Sequence, residues 1–83
     1  MEYFFKPSAL RSLKRLQKAD QVRVLKKLEF FFSQEHPLQF AKPIKDKTLG
    51  SFRFRIGDIR AIFDVEQHRA FILFIGNRKD IYR

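Results

Sequence analysis

The sequence contains no cysteine, and its basic residues outnumber its acidic residues by two to one. The absence of cysteine excludes a disulfide scaffold and a thiolate metal site. The longest apolar run covers residues 70–75, whereas a membrane-spanning helix needs about 20 such residues. The first residues also lack the basic start and apolar stretch of a secretory signal peptide. We therefore expect a cytoplasmic protein that makes no contact with a membrane.

Repeats, low-complexity segments and internal linkers are also missing from the sequence. Hydrophobic residues make up 45% of the 83 residues and include 11 phenylalanines, which is enough apolar material for one compact core. A chain of this length buries only about 60% of its unfolded surface and is marginally stable alone. The sequence therefore predicts one domain over residues 1–83.

The charge balance gives the first indication of function. Eighteen Lys and Arg against nine Asp and Glu give a formal net charge of +9, with a pI near 10.4. This balance favours an anionic partner, most commonly nucleic acid, although an acidic protein or a merely solubilising surface also fits. Eight of the nine lysines precede Gly50 and six of the nine arginines follow it. Because Arg holds phosphate bidentately, the second half is better suited to phosphate contacts.

The first half of the chain predicts one strand and two helices. Residues 2–6 are rich in Tyr and Phe and predict a strand. Pro7 suits a first helical turn, and leucines at helical spacing extend this helix to about Lys18. Asp20 is the expected N-cap of a second helix, which should end near His36 because Pro37 disfavours helix in the preceding residue.

The second half predicts a loop and three strands. Residues 37–50 are interrupted by Pro and Gly and predict a loop. Residues 51–56 then alternate between apolar and polar side chains, and Gly57-Asp58 is a hairpin turn signal. A return strand to Val65, a turn at Gln67-His68 and a third strand over residues 70–75 follow. The predicted fold is α+β: an N-terminal strand, a two-helix hairpin and an antiparallel three-strand meander.

The first turn fixes a register that brings arginines together. Arg55 should lie directly opposite Arg60, with Arg53 on the same face. Like charges in this position destabilise a sheet by about 0.2–1 kcal/mol, so a bound anion is a physical reason for the arrangement. The alternative is neutralisation by acids of the same chain, for which there are three candidates: Asp64, Glu66 and Asp80.

A second turn centred on Gln67-His68 assigns the remaining side chains to two faces of the sheet. Ala61 and Phe63 should lie with Ile72 and Phe74 in the core under the helices. The opposite face should carry Arg60, Ile62, Asp64, Phe71, Leu73 and Ile75. An apolar face without helices of its own invites a partner, unless the first strand and the C-terminal tail cover it.

Signals for metal, cofactor or nucleophile chemistry are weak. His36 and His68 lie in predicted loops without ligand spacing, and there is no glycine-rich phosphate loop and no Ser-His-Asp pattern, so we predict no metal and no cofactor. If the protein is an enzyme, the natural class is metal-free phosphodiester cleavage, in which the 2′-hydroxyl attacks the adjacent phosphate and arginines stabilise the developing charge. Tyr82 can stack on a base, transfer a proton, or simply pack on the sheet rim.

Three segments resemble the RelE/ParE toxin superfamily. Residues 49–63 (LGSFRFRIGDIRAIF) are similar to its central hairpin, residues 75–83 (IGNRKDIYR) look like the C-terminal signature of its RelE branch, and residues 5–10 (FKPSAL) fit its opening. The resemblance implies a strand–helix–helix–three-strand fold and a cognate antitoxin that wraps and neutralises the toxin. It further implies an endoribonuclease that cleaves mRNA in the ribosomal A site. Apart from the resemblance, the basic faces of the two helices either contact ribosomal RNA or are simply solvated.

The resemblance also implies roles for individual residues. Arg53 and Arg55 match basic residues on the active-site strand, Arg60 and Arg78 match phosphate-stabilising arginines, and Tyr82 matches a tyrosine that contacts the RNA. In the tail, Lys79 and Arg83 supply further cations for RNA binding.

The sequence departs from the family pattern in two respects. Well-known RelE proteins have lysines where this chain has Arg53 and Arg55, and Arg cannot act as a general base. Lys79 or Tyr82 would then take that role, or catalysis would rely on positioning and charge stabilisation. We also expect the chain to be without the C-terminal helix that some members carry. Two alternatives therefore remain open: a ParE-like inhibitor of DNA gyrase, and a catalytically weak homologue that only binds its antitoxin.

Overall fold

The computed structural model describes residues 1–81. It contains a five-stranded sheet in the order β1-β5-β4-β3-β2, in which β1 pairs parallel with β5 and the other neighbours are antiparallel. The elements in chain order are β1 Glu2–Phe5, α1 Pro7–Lys14, α2 Lys18–Ser33, a 3₁₀ turn Pro37–Phe40, β2 Ala41–Pro43, β3 Phe52–Ile56, β4 Ile59–Glu66, β5 Arg69–Asn77 and α3 Arg78–Ile81. The predicted α+β class, with its N-terminal strand, helical hairpin and antiparallel meander, is confirmed.

The core lies between α1 and α2 and one face of the sheet. The rings of Phe31 and Phe32 on α2 pack against Phe54 of β3, with centroid distances of 4.4 and 5.2 Å. Phe54 and Phe63 are fully buried and stack on each other across the β3–β4 pair. Burying aromatic side chains of this size is among the largest apolar contributions a small domain can gain. In residues 1–81, no helix combines the length and apolar character needed to cross a membrane.

The helix ends differ from the predicted ones. Asp20 is not an N-cap: α2 already begins at Lys18, with Gln17 at the capping position, so Asp20 lies in the first turn. A carboxylate there is still favourable because it faces the positive end of the helix dipole, and Asp20 also pairs with Arg23 at 3.2 Å. α1 ends at Lys14 rather than near Lys18.

The segment predicted as a loop, residues 37–50, is partly regular. It contains the 3₁₀ turn Pro37–Phe40 and the edge strand β2. Lys42 of β2 lies opposite Arg53 of β3. The prediction of a plain loop was therefore wrong for residues 37–43. The later part returns to the sheet at Gly50, where a Cβ atom would come within 2.6 Å of Ile62.

A β-bulge in β5 changes the predicted faces. Phe63 pairs with Ile72, but Ile62 pairs with Phe74, so Leu73 is an extra residue on β5. Beyond this point the alternation reverses, and Ile75 lies opposite Ala61 in the core with no exposed surface. The predicted placement of Phe74 in the core and Ile75 on the open face was therefore wrong, because the bulge shifts both by one position.

Hydroxyl groups of α1 complete the hydrogen bonding of β5 where β1 ends. The Ser8 Oγ donates to the carbonyl oxygen of Leu73 at 2.6 Å. One helical turn later, the buried Ser12 Oγ accepts a hydrogen bond of 2.9 Å from the backbone N–H of Ile75. Because buried backbone groups need partners, α1 replaces the missing strand along this edge.

Candidate functional site

The site is built on the β3–β4 hairpin. The predicted register is confirmed: Arg55 lies opposite Arg60, and Arg53 lies opposite Ile62. Gly57 opens the turn with φ +62°, a conformation that glycine adopts without steric cost. The turn therefore sets three arginines on the sheet face that α1 and α2 do not cover.

Arg60 is held inside this hairpin rather than extended into solvent. Its side chain is only 8% exposed. Its Nη1 donates hydrogen bonds to the carbonyl oxygens of Gly57 at 2.8 Å and Ile59 at 3.2 Å. Burying a guanidinium is costly unless its N–H groups find acceptors, and these backbone carbonyls meet part of that need. The hydrogen bonds also fix the orientation of the guanidinium.

A pocket of about 420 Å³ opens where the arginines converge. Five of its described lining residues are cationic and one is aromatic: Lys42, Arg53, Arg55, Arg60, Arg78 and Phe40. Within residues 1–81, none of the lining residues is acidic. Guanidinium forks concentrated in a concave site form a binding site for a phosphate-like anion.

Two of the lining residues, Phe40 and Lys42, were not predicted. They come from the segment that the sequence predicted to be a loop, where the 3₁₀ turn and β2 place them at the pocket. Phe40 stacks on Phe31 with a centroid distance of 5.2 Å and remains 38% exposed. The Phe40/Lys42 alternation was the available signal, but it is too short to distinguish a strand from a loop.

The acids that could have neutralised the arginines make other contacts. Asp64 accepts a hydrogen bond of 2.8 Å from the backbone N–H of Ser51. Glu66 lies opposite Arg69 near the far turn of the sheet. Asp80 lines a separate pocket, which adjoins the first at Arg78. None of these three carboxylates lines the arginine pocket.

The C-terminal segment brings Arg78 to the hairpin. Its backbone N–H donates to the carbonyl oxygen of Asp58 at 3.2 Å, which ties the start of α3 to the β3–β4 turn. Lys79 is exposed and lines the adjoining pocket together with Asp58 and Asp80, rather than the arginine pocket itself. Tyr82 and Arg83, both predicted to contact RNA, lie outside the described residues.

The rest of this sheet face is apolar and partly covered. Phe4 of β1 stacks on Phe71 of β5 at 5.6 Å, and the Lys6 ammonium lies 5.2 Å from the centre of the Phe71 ring. Phe4 itself remains 44% exposed. The first strand therefore covers this face only in part.

His36 and His68 are exposed, and residues 1–81 contain no group of three or more His, Asp or Glu placed to hold a metal ion.

The N-terminal strand, helical hairpin and antiparallel meander of this chain match the fold of the RelE/ParE toxins. Residues 3–82 match the family model described as the ParE toxin of the type II toxin–antitoxin system parDE, and the chain therefore belongs to this family. It is similar to a chain in the crystal structure of the toxin–antitoxin complex RelBE2 from Mycobacterium tuberculosis. The TM-score is 0.80 at 25% sequence identity, over 93% of this chain and 96% of that chain. The comparison with curated proteins gave no match.

Proposed function

We propose that this type II toxin is a ribosome-dependent endoribonuclease that cleaves mRNA in the ribosomal A site. The observation that carries the proposal is the arginine pocket, in which four arginines and Lys42 converge without an acidic lining residue in the described chain. Such a pocket suits a phosphodiester whose negative charge increases in the transition state. It is built on the hairpin of a single toxin domain, which we take to span residues 1–83.

The proposed chemistry divides the work among the arginines. Arg53 and Arg55 hold the phosphate next to the scissile bond, and Arg60 and Arg78 stabilise the charge that develops on its oxygens. The 2′-oxygen forms a bond to phosphorus and the bond to the 5′-oxygen breaks, which leaves a cyclic phosphate and a 5′-hydroxyl. The hydrogen bonds from Arg60 to Gly57 and Ile59 orient its guanidinium before the substrate arrives, as electrostatic stabilisation requires.

Proton transfer needs groups other than arginine, because a guanidinium stays protonated in proteins. We assign this role to Lys79 or Tyr82, which would take the proton of the attacking 2′-hydroxyl and return a proton to the departing 5′-oxygen. Lys79 lies beside Arg78 in the adjoining pocket, where Asp58 and Asp80 are also present. Tyr82 and Arg83 are proposed to contact the RNA directly. Without an efficient base, the reaction rests on positioning and charge stabilisation alone.

Two macromolecular partners follow from this proposal. A cognate antitoxin would cover the partly exposed apolar side of the open sheet face, and the similar RelBE2 structure is a toxin–antitoxin complex. The ribosome would meet basic residues on the helices, such as Arg11, Lys14 and Arg15 of the α1 region, all of which are exposed. Such a protein would act in the cytoplasm, where the ribosomes are.

A second candidate function is inhibition of DNA gyrase without cleavage of any nucleic acid. The observation that favours it is the matched family model, which describes a ParE toxin. In this case the arginine pocket would serve protein or DNA contacts, and mRNA would remain intact in poisoned cells. A third possibility is a catalytically weak homologue that binds only its antitoxin, for which no growth defect is expected.

Controlled expression in a bacterial host distinguishes these functions. The wild type should arrest growth and yield mRNA cut within codons, whereas Arg78→Ala should permit growth at an equal level of folded protein. Arg69→Ala is the matched control, because Arg69 is an exposed arginine at the far end of β5. Growth arrest with intact mRNA and an SOS response would replace the proposal with gyrase inhibition.

A further inference from the structure

An aromatic surface leads out of the arginine pocket onto α2. Phe40 lines the pocket, and its ring contacts that of Phe30 at 5.9 Å. Phe30 is 49% exposed and Phe40 is 38% exposed. Two adjacent, half-exposed phenylalanines on the surface of an 83-residue protein are a costly use of apolar side chains unless they meet a partner.

Cations on α2 continue this surface beyond Phe30. Arg23, Lys26, Lys27 and Phe30 together line a shallow groove. The Lys27 ammonium lies 5.8 Å from the centre of the Phe30 ring. At the other end, the Arg23 guanidinium lies over Gly57 of the hairpin turn, 3.3 Å from the position that a Cβ atom would occupy. The groove thus runs along α2 beside the hairpin that carries the arginine pocket.

Neither of the two acidic residues of α2 forms an ion pair with Lys26 or Lys27 in the described chain. Glu29 accepts a hydrogen bond of 2.6 Å from the hydroxyl of Tyr3. Asp20 is paired with Arg23. Lys26 and Lys27 therefore leave a positive groove next to the aromatic rings.

We propose that Phe40, Phe30, Lys26 and Lys27 form a binding track for single-stranded RNA that extends the arginine pocket onto α2. The proposal rests on the proposed function, because the pocket end of the track holds the scissile phosphate. Phe40 and Phe30 each take a base by stacking, and the lysines take the phosphates between them. Alternation of aromatic rings and cations suits a single strand, because every base has a stacking face and every linkage carries one charge.

The test uses fluorescently labelled oligouridylates with 2′-O-methyl groups, which block cleavage, in fluorescence anisotropy titrations. A dinucleotide probe reports the arginine pocket, and a decanucleotide reports the pocket and the track together. Phe30→Leu should weaken binding of the decanucleotide about tenfold, as loss of one stacked base predicts, and leave dinucleotide binding unchanged. Phe30→Trp should bind the decanucleotide as tightly as the wild type, because it keeps an aromatic ring at this position. Phe4→Leu is the matched control. Phe4 is exposed to a similar extent as Phe30, but it lies on β1, the edge strand farthest from β2 and the arginine pocket.

Salt dependence tests the lysines separately. Lys27→Ala should reduce the slope of log K against log salt by about 0.7 for the decanucleotide, the value for one phosphate contact on a single strand. Lys47→Ala, in the exposed loop before β3, is the charge-matched control and should leave the slope unchanged.

The outcomes separate this inference from the proposed function. If the wild type binds neither probe and cleaves no mRNA on the ribosome, the proposed function fails. If it cleaves mRNA and binds the decanucleotide no more weakly after Phe30→Leu and Lys27→Ala, the track is wrong while the function stands. Loss of antitoxin affinity in these variants with unchanged RNA binding would assign the surface to the antitoxin and overturn the track.

Discussion

Arg55 and Arg60 lie directly opposite each other across the β3–β4 hairpin, Arg55 exposed and Arg60 8% exposed. Directly opposed like charges destabilise a sheet. Arg53 on β3 and Arg78 from α3 add to the same cluster. A pocket that gathers cations at the expense of stability is understandable if an anion enters it.

Removing one member of the opposed pair should stabilise the protein. Arg55→Gln should raise the free energy of unfolding by about 0.2–1 kcal/mol, because it relieves repulsion at an exposed position, while it weakens RNA binding. Urea denaturation measures the change. Arg69→Gln is the matched control: Arg69 lies opposite Glu66, so its replacement should lower the stability slightly. A loss of stability in Arg55→Gln would mean that the cluster is not repulsive.

Phosphate should stabilise the wild type more than chloride does at the same ionic strength. At ten times its dissociation constant a bound anion adds about 1.4 kcal/mol, which raises the Tm of a domain of this size by about 8 °C. Thermal unfolding monitored by circular dichroism measures the shift. Arg78→Gln should show a smaller shift. Equal shifts in both proteins would exclude Arg78 from the anion site.

Ser12→Ala should destabilise the fold. The Ser12 hydroxyl is the partner of the buried Ile75 N–H at 2.9 Å, and an unsatisfied buried donor costs about 1–3 kcal/mol. Denaturant titration measures the loss in the free energy of unfolding. Ser8→Ala should cost less, because Ser8 is exposed and water can reach the Leu73 carbonyl. Equal effects of the two substitutions would contradict the role given to burial.

Tyr3 should make the stability depend on pH in the alkaline range. Burial, the hydrogen bond to Glu29 and the charge of Glu29 raise the pKa of Tyr3 from its ordinary value of 10.0 to about 12. The folded state holds the phenolic proton more tightly than the unfolded state does. The contribution of Tyr3 to the free energy of unfolding is therefore intact below pH 10 and is lost as the pH rises towards 12. Unfolding free energies across this range should fall less steeply in Tyr3→Phe. If the free energies of unfolding of the wild type and Tyr3→Phe fell equally with pH, the raised pKa of Tyr3 would be ruled out.

The hairpin was predictable because its turn residues fix a register. The turn at Gly57-Asp58 determines which residues of β3 and β4 lie opposite each other. The positions of Arg53, Arg55 and Arg60 therefore follow from their distance in sequence from the turn. Arg78 joined them only through the family resemblance, since nothing local in the sequence shows that its N–H bonds to Asp58.

The missed features lack a sequence period. β2 has only three residues and ends in proline, which is too short for an alternation of apolar and polar side chains to be recognised. Phe40 and Lys42 of the arginine pocket were therefore not predicted. The bulge at Leu73 lies inside the continuous apolar run of residues 70–75. A shift of the strand register by one residue leaves the hydrophobic pattern of such a run unchanged, so the sequence gives no sign of the bulge. Tertiary pairing with β3 and β4 decides both features.

Primer extension on an mRNA translated in a purified ribosomal system tests the central claim most directly. With the wild type we predict discrete stops within the A-site codon, absent from naked RNA and strongly reduced for Arg78→Ala, with Arg69→Ala behaving as wild type. Intact message and unaffected translation in the presence of folded wild-type protein would contradict the account.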